Sequence, residues 1–269
     1  IELVDPLDDQ ACYTSVIPEY EGQFVKDADK NIIRGLKEKH IIFKHETIVH
    51  SYPHCERTEG PLIYRAIPAW YIRVEKLKKQ LVENNLKINW VPEHLQEGRM
   101  GKWLENARDW AISRNRFWGT PLPVWVCSDD EQHCEVFGAV KDLEERSGAS
   151  IDDLHKHFID DIKFSCQKCS GTMKRVDEVF DCWFESGSMP YAQAHYPFEG
   201  KDSFESKFPA DFIAEGLDQT RGWFYTLSII STALFAKPAF KNVVVNGLVL
   251  AQDGKKMSKR LKNYTPPEN

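Results

Sequence analysis

The sequence predicts an α/β protein built on a parallel sheet, with a small cysteine-bearing module inserted into it. Three observations carry that reading. "FPADFIAEG" (208–216) has the character of a strand closed by Gly216, "LDQTRGWFYTLSIISTALFA" (217–236) that of a helix, and "KNVVVNGLVL" (241–250) that of a second buried strand. Strand, helix and strand in this order form a crossover unit with parallel strands and a right-handed connection. Residues 127–170 interrupt the pattern with two cysteine pairs. Finally, 269 residues of which 42% are hydrophobic can bury one large core or two smaller ones, which excludes a disordered tail or a fibrous repeat.

The elements follow in order. "KDADKNIIRGLKEKHIIFKHETIVHSY" (26–52) reads as a helix, a turn at Gly35 and a strand. "PLIYRAIPAWYIRV" (61–74), rich in β-formers and aromatics, reads as buried strand broken at Pro68. "EKLKKQLVENNLKINWVPEHL" (75–95) reads as a helix followed by a short extended segment. "GRMGKWLENARDWAISRNRFWG" (98–119) reads as a second helix with Trp103, Ala107, Trp110 and Ala111 on one face. The prolines of "TPLPVWV" (120–126) then forbid helix. In the crossover helix the expected apolar face is Trp223, Leu227, Ile230 and Leu234.

Apolar runs such as Leu227 to Ala236 are too short to cross a bilayer, and "IELVDPLDD" has no basic region leading into an apolar stretch. The expectation is a soluble, cytoplasmic protein without membrane contact. A start at Ile1 and an end at "TPPEN", straight after a basic loop, suggest a piece excised from a longer chain.

Three constellations offer chemistry. Lys255, Lys256, Lys259, Arg260 and Lys262 form a basic block preceded by the turn residues Asp253 and Gly254, in a chain whose net charge is −6. This is either a solvated surface loop or a clamp whose ammonium groups surround a polyphosphate and offset charge developing at phosphorus. Glu215, Asp218, Gln219, Arg221 and Trp223 sit on the loop after the first crossover strand. They serve either as ordinary helix capping and core, or as acceptors for ribose hydroxyls or an ammonium group beside an indole wall. Both loops leave the carboxyl ends of parallel strands, the edge along which open parallel sheets bind ligands.

The third constellation is Cys127, Cys134, Cys166 and Cys169. The C-x-x-C of "SCQKCSGT" and the wider upstream pair make a four-cysteine set of zinc-ribbon type, with His133 or Asp129 as a substitute for one member of the first pair. A closed site of that kind is structural, because it leaves no position for water or substrate. Cys12, Cys55 and Cys182 read as ordinary reduced thiols, and His155 and His157 as solvent-facing.

"KMSKR" after "VNGLVLAQDGK" resembles the KMSKS signature of class I aminoacyl-tRNA synthetases. "HSYPHCERTEGPLIYRAIPAWYIRV", "DWAISRNRFWGTPLPVW", "VFDCWFESGSMPYAQ" and "AEGLDQTRGWFYTL" are similar to successive blocks of the isoleucyl-tRNA synthetase family, nearer its eukaryotic-like branch. The resemblance implies the C-terminal half of a Rossmann-type catalytic domain. Residues 1–50 would be the trailing part of an editing insertion, 51–126 the return into the catalytic domain, 127–175 a zinc knuckle, and 176–269 the Rossmann half ending in the KMSKR loop.

The activity so implied is ATP- and Mg2+-dependent adenylation of isoleucine followed by transfer to tRNA(Ile), in a full-length protein that would be monomeric. Lys259, assisted by Lys256, would contact the ATP phosphates. Glu215, Gly216, Asp218 and Gln219 would hold the aminoacyl-adenylate, with Trp183 and Trp223 lining the side-chain pocket. Zn2+ would be structural. Arg260 stands where many members have Ser, Glu56 where the family often has an aromatic residue, and the H-x-G-H element that precedes this region in the family has no match. The piece alone is therefore expected to be nearly inactive. The competing reading is a detached zinc-containing module that binds tRNA or a protein without catalysis.

Overall fold

The computed structural model describes residues 4–55, 58–257 and 262–265. It divides into two compact units, Ile1–Pro68 and Ala69–Asn269. Glu56 lies outside the described residues.

In the first unit the helix Val25–Glu38 runs through Gly35 instead of turning there, and the chain reverses at His40, whose φ is +54°. The strand expected after it does not form: residues 41–50 pair with nothing in a ladder, and Phe43 and Val49 stand in solvent. Alternating apolar residues make a strand only where a neighbour takes the backbone hydrogen bonds, and no such neighbour stands beside them among the described residues. Residues 62–68 are likewise extended, outside any ladder and largely exposed, contrary to the buried strand expected there. Arg65 ties this unit together through Asp5 (2.7 Å) and the carbonyls of Leu7 (2.9 Å) and Asp8 (3.1 Å).

The second unit is organised by a three-stranded parallel sheet in the order Ile213–Gly216, Asn242–Asn246, Asn89–Val91. The predicted crossover is therefore present, and the short extended segment after the helix Lys78–Asn85 supplies the third strand. Alternation puts Trp90, Val243 and Val245 on the covered face. They meet Leu81, Met100, Leu104, Phe224, Leu227 and Phe240 in one core, with Trp90 and Phe224 edge to face at 6.0 Å. The Trp90 indole N–H donates to Asn85 Oδ1 at 3.1 Å, which satisfies that buried pair.

The crossover helix, Trp223–Phe235, departs from the single apolar face expected. Every residue from Thr226 to Thr232 is buried, whereas Leu234 is 58% exposed. A helix enclosed on all sides needs no stripe. Its hydroxyls find partners, Ser228 on the Phe224 carbonyl within the helix at 2.7 Å and Thr232 from the Asn84 amide of the helix Lys78–Asn85 at 3.0 Å.

The helix expected over 98–119 is also corrected. A wide turn, Gln96–Gly101, passes into one helical turn, Lys102–Glu105, which stops at Asn106. The chain then straightens: Trp110–Ala111 pairs with Tyr71–Ile72, and Ser113–Arg114 with Val179–Phe180. These antiparallel ladders override a helical pattern that looked adequate in isolation. Trp103 and Trp110 accordingly do not share a helix face.

The inserted module is a four-stranded antiparallel sheet in the order Cys134–Val136, Val124–Cys127, Thr172–Arg175, Phe164–Ser165. Trp125, Leu143, Phe164 and Met173 form its separate core. Buried Arg175 pairs with Asp160 and donates to the carbonyls of Leu122 (3.2 Å) and Glu178 (2.9 Å), fastening the module's base. No helix among the described residues is long and apolar enough to cross a membrane.

Candidate functional site

Because Gly216 pairs with Asn246 across two parallel strands, the loops that follow them leave the same edge of the sheet. The first is a short 3-10 turn, Leu217–Arg221, leading into the crossover helix. Its side chains divide by direction. Glu215 and Asp218 are exposed, while Thr220 is fully buried. Thr220 Oγ1 donates to the Leu217 carbonyl (2.8 Å) and accepts from Arg99 Nε (2.7 Å). Arg221 donates to the Arg99 carbonyl at 3.0 Å and lies 4.2 Å over the Trp103 ring. Burial, and then the neighbouring Arg99 charge, lower the Arg221 pKa. The loop is thus anchored from behind, with its carboxylates outward.

Gln219 is fixed in orientation. Its Oε1 accepts from the Trp223 backbone N–H (2.9 Å) and its Nε2 donates to Asp218 Oδ2 (3.1 Å). The Trp223 indole N–H donates to the Ser186 carbonyl at 3.0 Å, which joins the loop to the helix Cys182–Gly187. That helix carries Trp183, 41% exposed. The structure therefore brings Glu215, Gly216, Asp218, Gln219, Trp183 and Trp223 into one neighbourhood. Acceptors beside two indoles suit a ligand with a hydroxyl- or ammonium-bearing end and an apolar end.

Asp181 sets the position of Trp183. It is buried, accepts from the Trp183 backbone N–H at 2.8 Å as the helix cap, and pairs with Arg114. Replacement by alanine is expected to cost about 1–2 kcal/mol for the lost cap alone, measured as a lower midpoint of thermal unfolding.

The second loop folds back as a hairpin, as its turn residues suggested. Leu250 bridges Lys256 antiparallel, the Ala251 backbone N–H donates to the Lys255 carbonyl and the Gly254 N–H to the Ala251 carbonyl, both at 2.8 Å, and Gly254 has φ +74°. Lys256 is exposed on this hairpin. Lys259 and Arg260 lie outside the described residues.

The cysteine cluster differs from the expected set in one member. Cys127, His133, Cys166 and Cys169 bring their ligand atoms within 4.8 Å of one another, whereas Cys134 is exposed and outside the group. The ladder explains the exchange. Val126 stands opposite Cys134, so those two share a face and Cys127 takes the other, next to His133, whose carbonyl accepts from the Cys127 N–H at 3.0 Å.

The donor set fits a tetrahedral metal. Cys127 Sγ lies 3.3 Å from Cys169 Sγ, and Cys166 Sγ lies 3.6 Å from His133 Nδ1. The other imidazole nitrogen faces Asp130 at 3.4 Å, the arrangement that orients a ligating histidine. A Cβ on Gly171 would collide with the Cys127 sulfur, so the knuckle closes only with glycine there. The Lys168 backbone N–H, then the neighbouring cysteines, bring the Cys166 thiol down to about 7. Cys169 gains from the Gly171 N–H but is pushed up to about 11 by Cys127 and burial. His133 was legible only as an alternative; the signal that singles it out is ladder register, which spacing alone does not give.

The family model described as tRNA synthetases class I (I, L, M and V) matches residues 9–269. The chain is 60% identical over 267 residues to a Treponema denticola protein named isoleucine-tRNA ligase, covering 99% of this chain and 24% of that one. A Chlamydia abortus protein of the same name is 58% identical over 267 residues, covering 99% and 25%. The chain spans about a quarter of the length of these curated relatives. A solved structure of Mycobacterium tuberculosis methionyl-tRNA synthetase bound by methionyl-adenylate is 16% identical, with TM-score 0.48, over 82% of this chain and 34% of that one.

Proposed function

This chain belongs to the class I tRNA synthetases of the isoleucine, leucine, methionine and valine group, and from that premise we propose that it forms part of the catalytic domain of an isoleucine-tRNA ligase. In this reading the full-length protein joins isoleucine to ATP as isoleucyl-adenylate, then transfers the acyl group to tRNA(Ile). Glu215, Gly216, Asp218 and Gln219 hold the ribose and ammonium ends of the adenylate. Trp183 and Trp223 enclose the isoleucine side chain. Lys259, with Lys256, neutralises charge on the ATP phosphates as the carboxylate attacks. Mg2+, when bound with ATP, adds electrostatic stabilisation of the leaving pyrophosphate.

The module's Cys127, His133, Cys166 and Cys169 hold a structural Zn2+. Four protein ligands close the site, so its contribution is to the fold of the zinc ribbon and not to the reaction.

The observation that carries the reading is the pairing of an indole wall with the exposed Glu215 and Asp218 and the fixed Gln219 amide on one loop, in a chain whose relatives are named for isoleucine. Calorimetric titration of a non-hydrolysable isoleucyl-adenylate analogue into the full-length protein tests it. Binding is expected for the native protein and weaker by about tenfold or more for Glu215→Ala, the loss typical of one charged hydrogen bond. A folded native protein that ignores the analogue would sink the proposal.

A further inference from the structure

Gly222 stands between the two halves of the pocket wall. A Cβ built on it would lie 2.9 Å from Cη2 and 3.2 Å from Cζ3 of Trp183, and 2.8 Å from Gln219 Oε1. Real side chains do not approach this closely, so any residue larger than glycine must displace one neighbour. The two differ in freedom. Gln219 is held by the Trp223 N–H at 2.9 Å and by Asp218 at 3.1 Å. The Trp183 indole is 41% exposed, and only the backbone of its residue is tied, through Asp181. The ring is the member that gives.

We infer that Gly222 is a specificity-determining residue: by having no side chain it lets the far edge of the Trp183 ring lie back against the loop, and so sets how long an apolar side chain the pocket admits. This rests on the reading of Trp183 as a wall of the isoleucine pocket. Isoleucine is one methylene longer than valine, and a methylene in such a pocket changes selection by roughly 10–200-fold. Moving the ring edge forward takes that space from isoleucine first. Gly222 is one residue beyond Arg221, whose contacts to Arg99 and Trp103 hold the loop from the opposite side, so the backbone does not simply retreat.

The test uses the full-length protein and measures isoleucine- and valine-dependent pyrophosphate exchange. Gly222→Ala is expected to lower the isoleucine-to-valine ratio of kcat/KM about tenfold or more, with KM for ATP unchanged. Adding Trp183→Phe, which removes the Cη2 and Cζ3 edge, is expected to recover most of the isoleucine activity. Equal losses for both amino acids together with a higher KM for ATP, or no rescue by Trp183→Phe, would assign Gly222 to folding of the Gln219 loop and overturn the inference. If Gly222→Ala does not fold, Trp183→Phe alone decides. Opening the gap beside Gly222 should raise activation of leucine or methionine relative to isoleucine by about tenfold, and unchanged ratios would overturn the idea. Absence of isoleucine-dependent exchange in the native protein would instead refute the functional reading beneath it.

Discussion

Lys259→Ala in the full-length protein is expected to lower the maximal rate of isoleucine-dependent pyrophosphate exchange by roughly 10²–10³-fold, the usual loss on removing one group aimed at transition-state charge. An ammonium that meets the phosphates most strongly as charge moves onto pyrophosphate stabilises the transition state more than the bound substrates. Its loss therefore falls on kcat and leaves KM for isoleucine close to the native value. Lys256 stands on the described part of the hairpin, with its backbone already engaged by Leu250, and its replacement by alanine should cost less than that of Lys259. Steady-state exchange kinetics at varied isoleucine and ATP separate the two. Full activity in the Lys259 variant would mean that the KMSKR signature of this chain serves as a surface loop.

The second large effect concerns the metal. His133→Ala is expected to deplete the full-length protein of zinc and Cys134→Ser to leave it loaded, as read by elemental analysis after dialysis against a moderate chelator. Structural zinc contributes about 10–16 kcal/mol in small zinc-dependent folds. Its loss should therefore expose the core around Trp125, which gives a fluorescence readout independent of activity. Zinc lost from the Cys134 variant but retained by the His133 variant would reverse the assignment. The distinction is worth making because both residues occupy adjacent positions and only strand alternation separates them.

How much of this was legible in the sequence depended on whether a feature was local. The crossover was readable because Gly216 ends one apolar strand, the next helix is long, and the second strand is a run of valines. The loop carboxylates and Trp223 followed from that, since topology alone puts them at the carboxyl edge, whereas Trp183 came only from the family resemblance. The helix expected through Trp110 failed because its partner, Tyr71–Ile72, is distant in sequence and offers a ladder that periodicity cannot reveal. The strand expected after His40 failed for the converse reason, an alternating pattern without a partner among the described residues. Cys134 and Gly222 are cases where register and close approach, not residue type, decide the role.

The strand order has a consequence for how the chain comes into being. The central strand of the sheet, Asn242–Asn246, is the last of the three to be synthesised, and Asn89 must wait for a partner 153 positions later. At about 5–20 residues per second on a ribosome, that interval lasts roughly 8–30 seconds. Throughout it Trp90 has no sheet to cover it, whereas the cysteine module, with its strands all between Val124 and Arg175, has everything it needs to close early. A module that closes first also shortens the span over which the two ends of the sheet must find each other. The cysteine module is thus placed to act as a staple on the growing chain, and on the zinc reading proposed above a nascent protein starved of zinc is expected to dwell longest with its future core open.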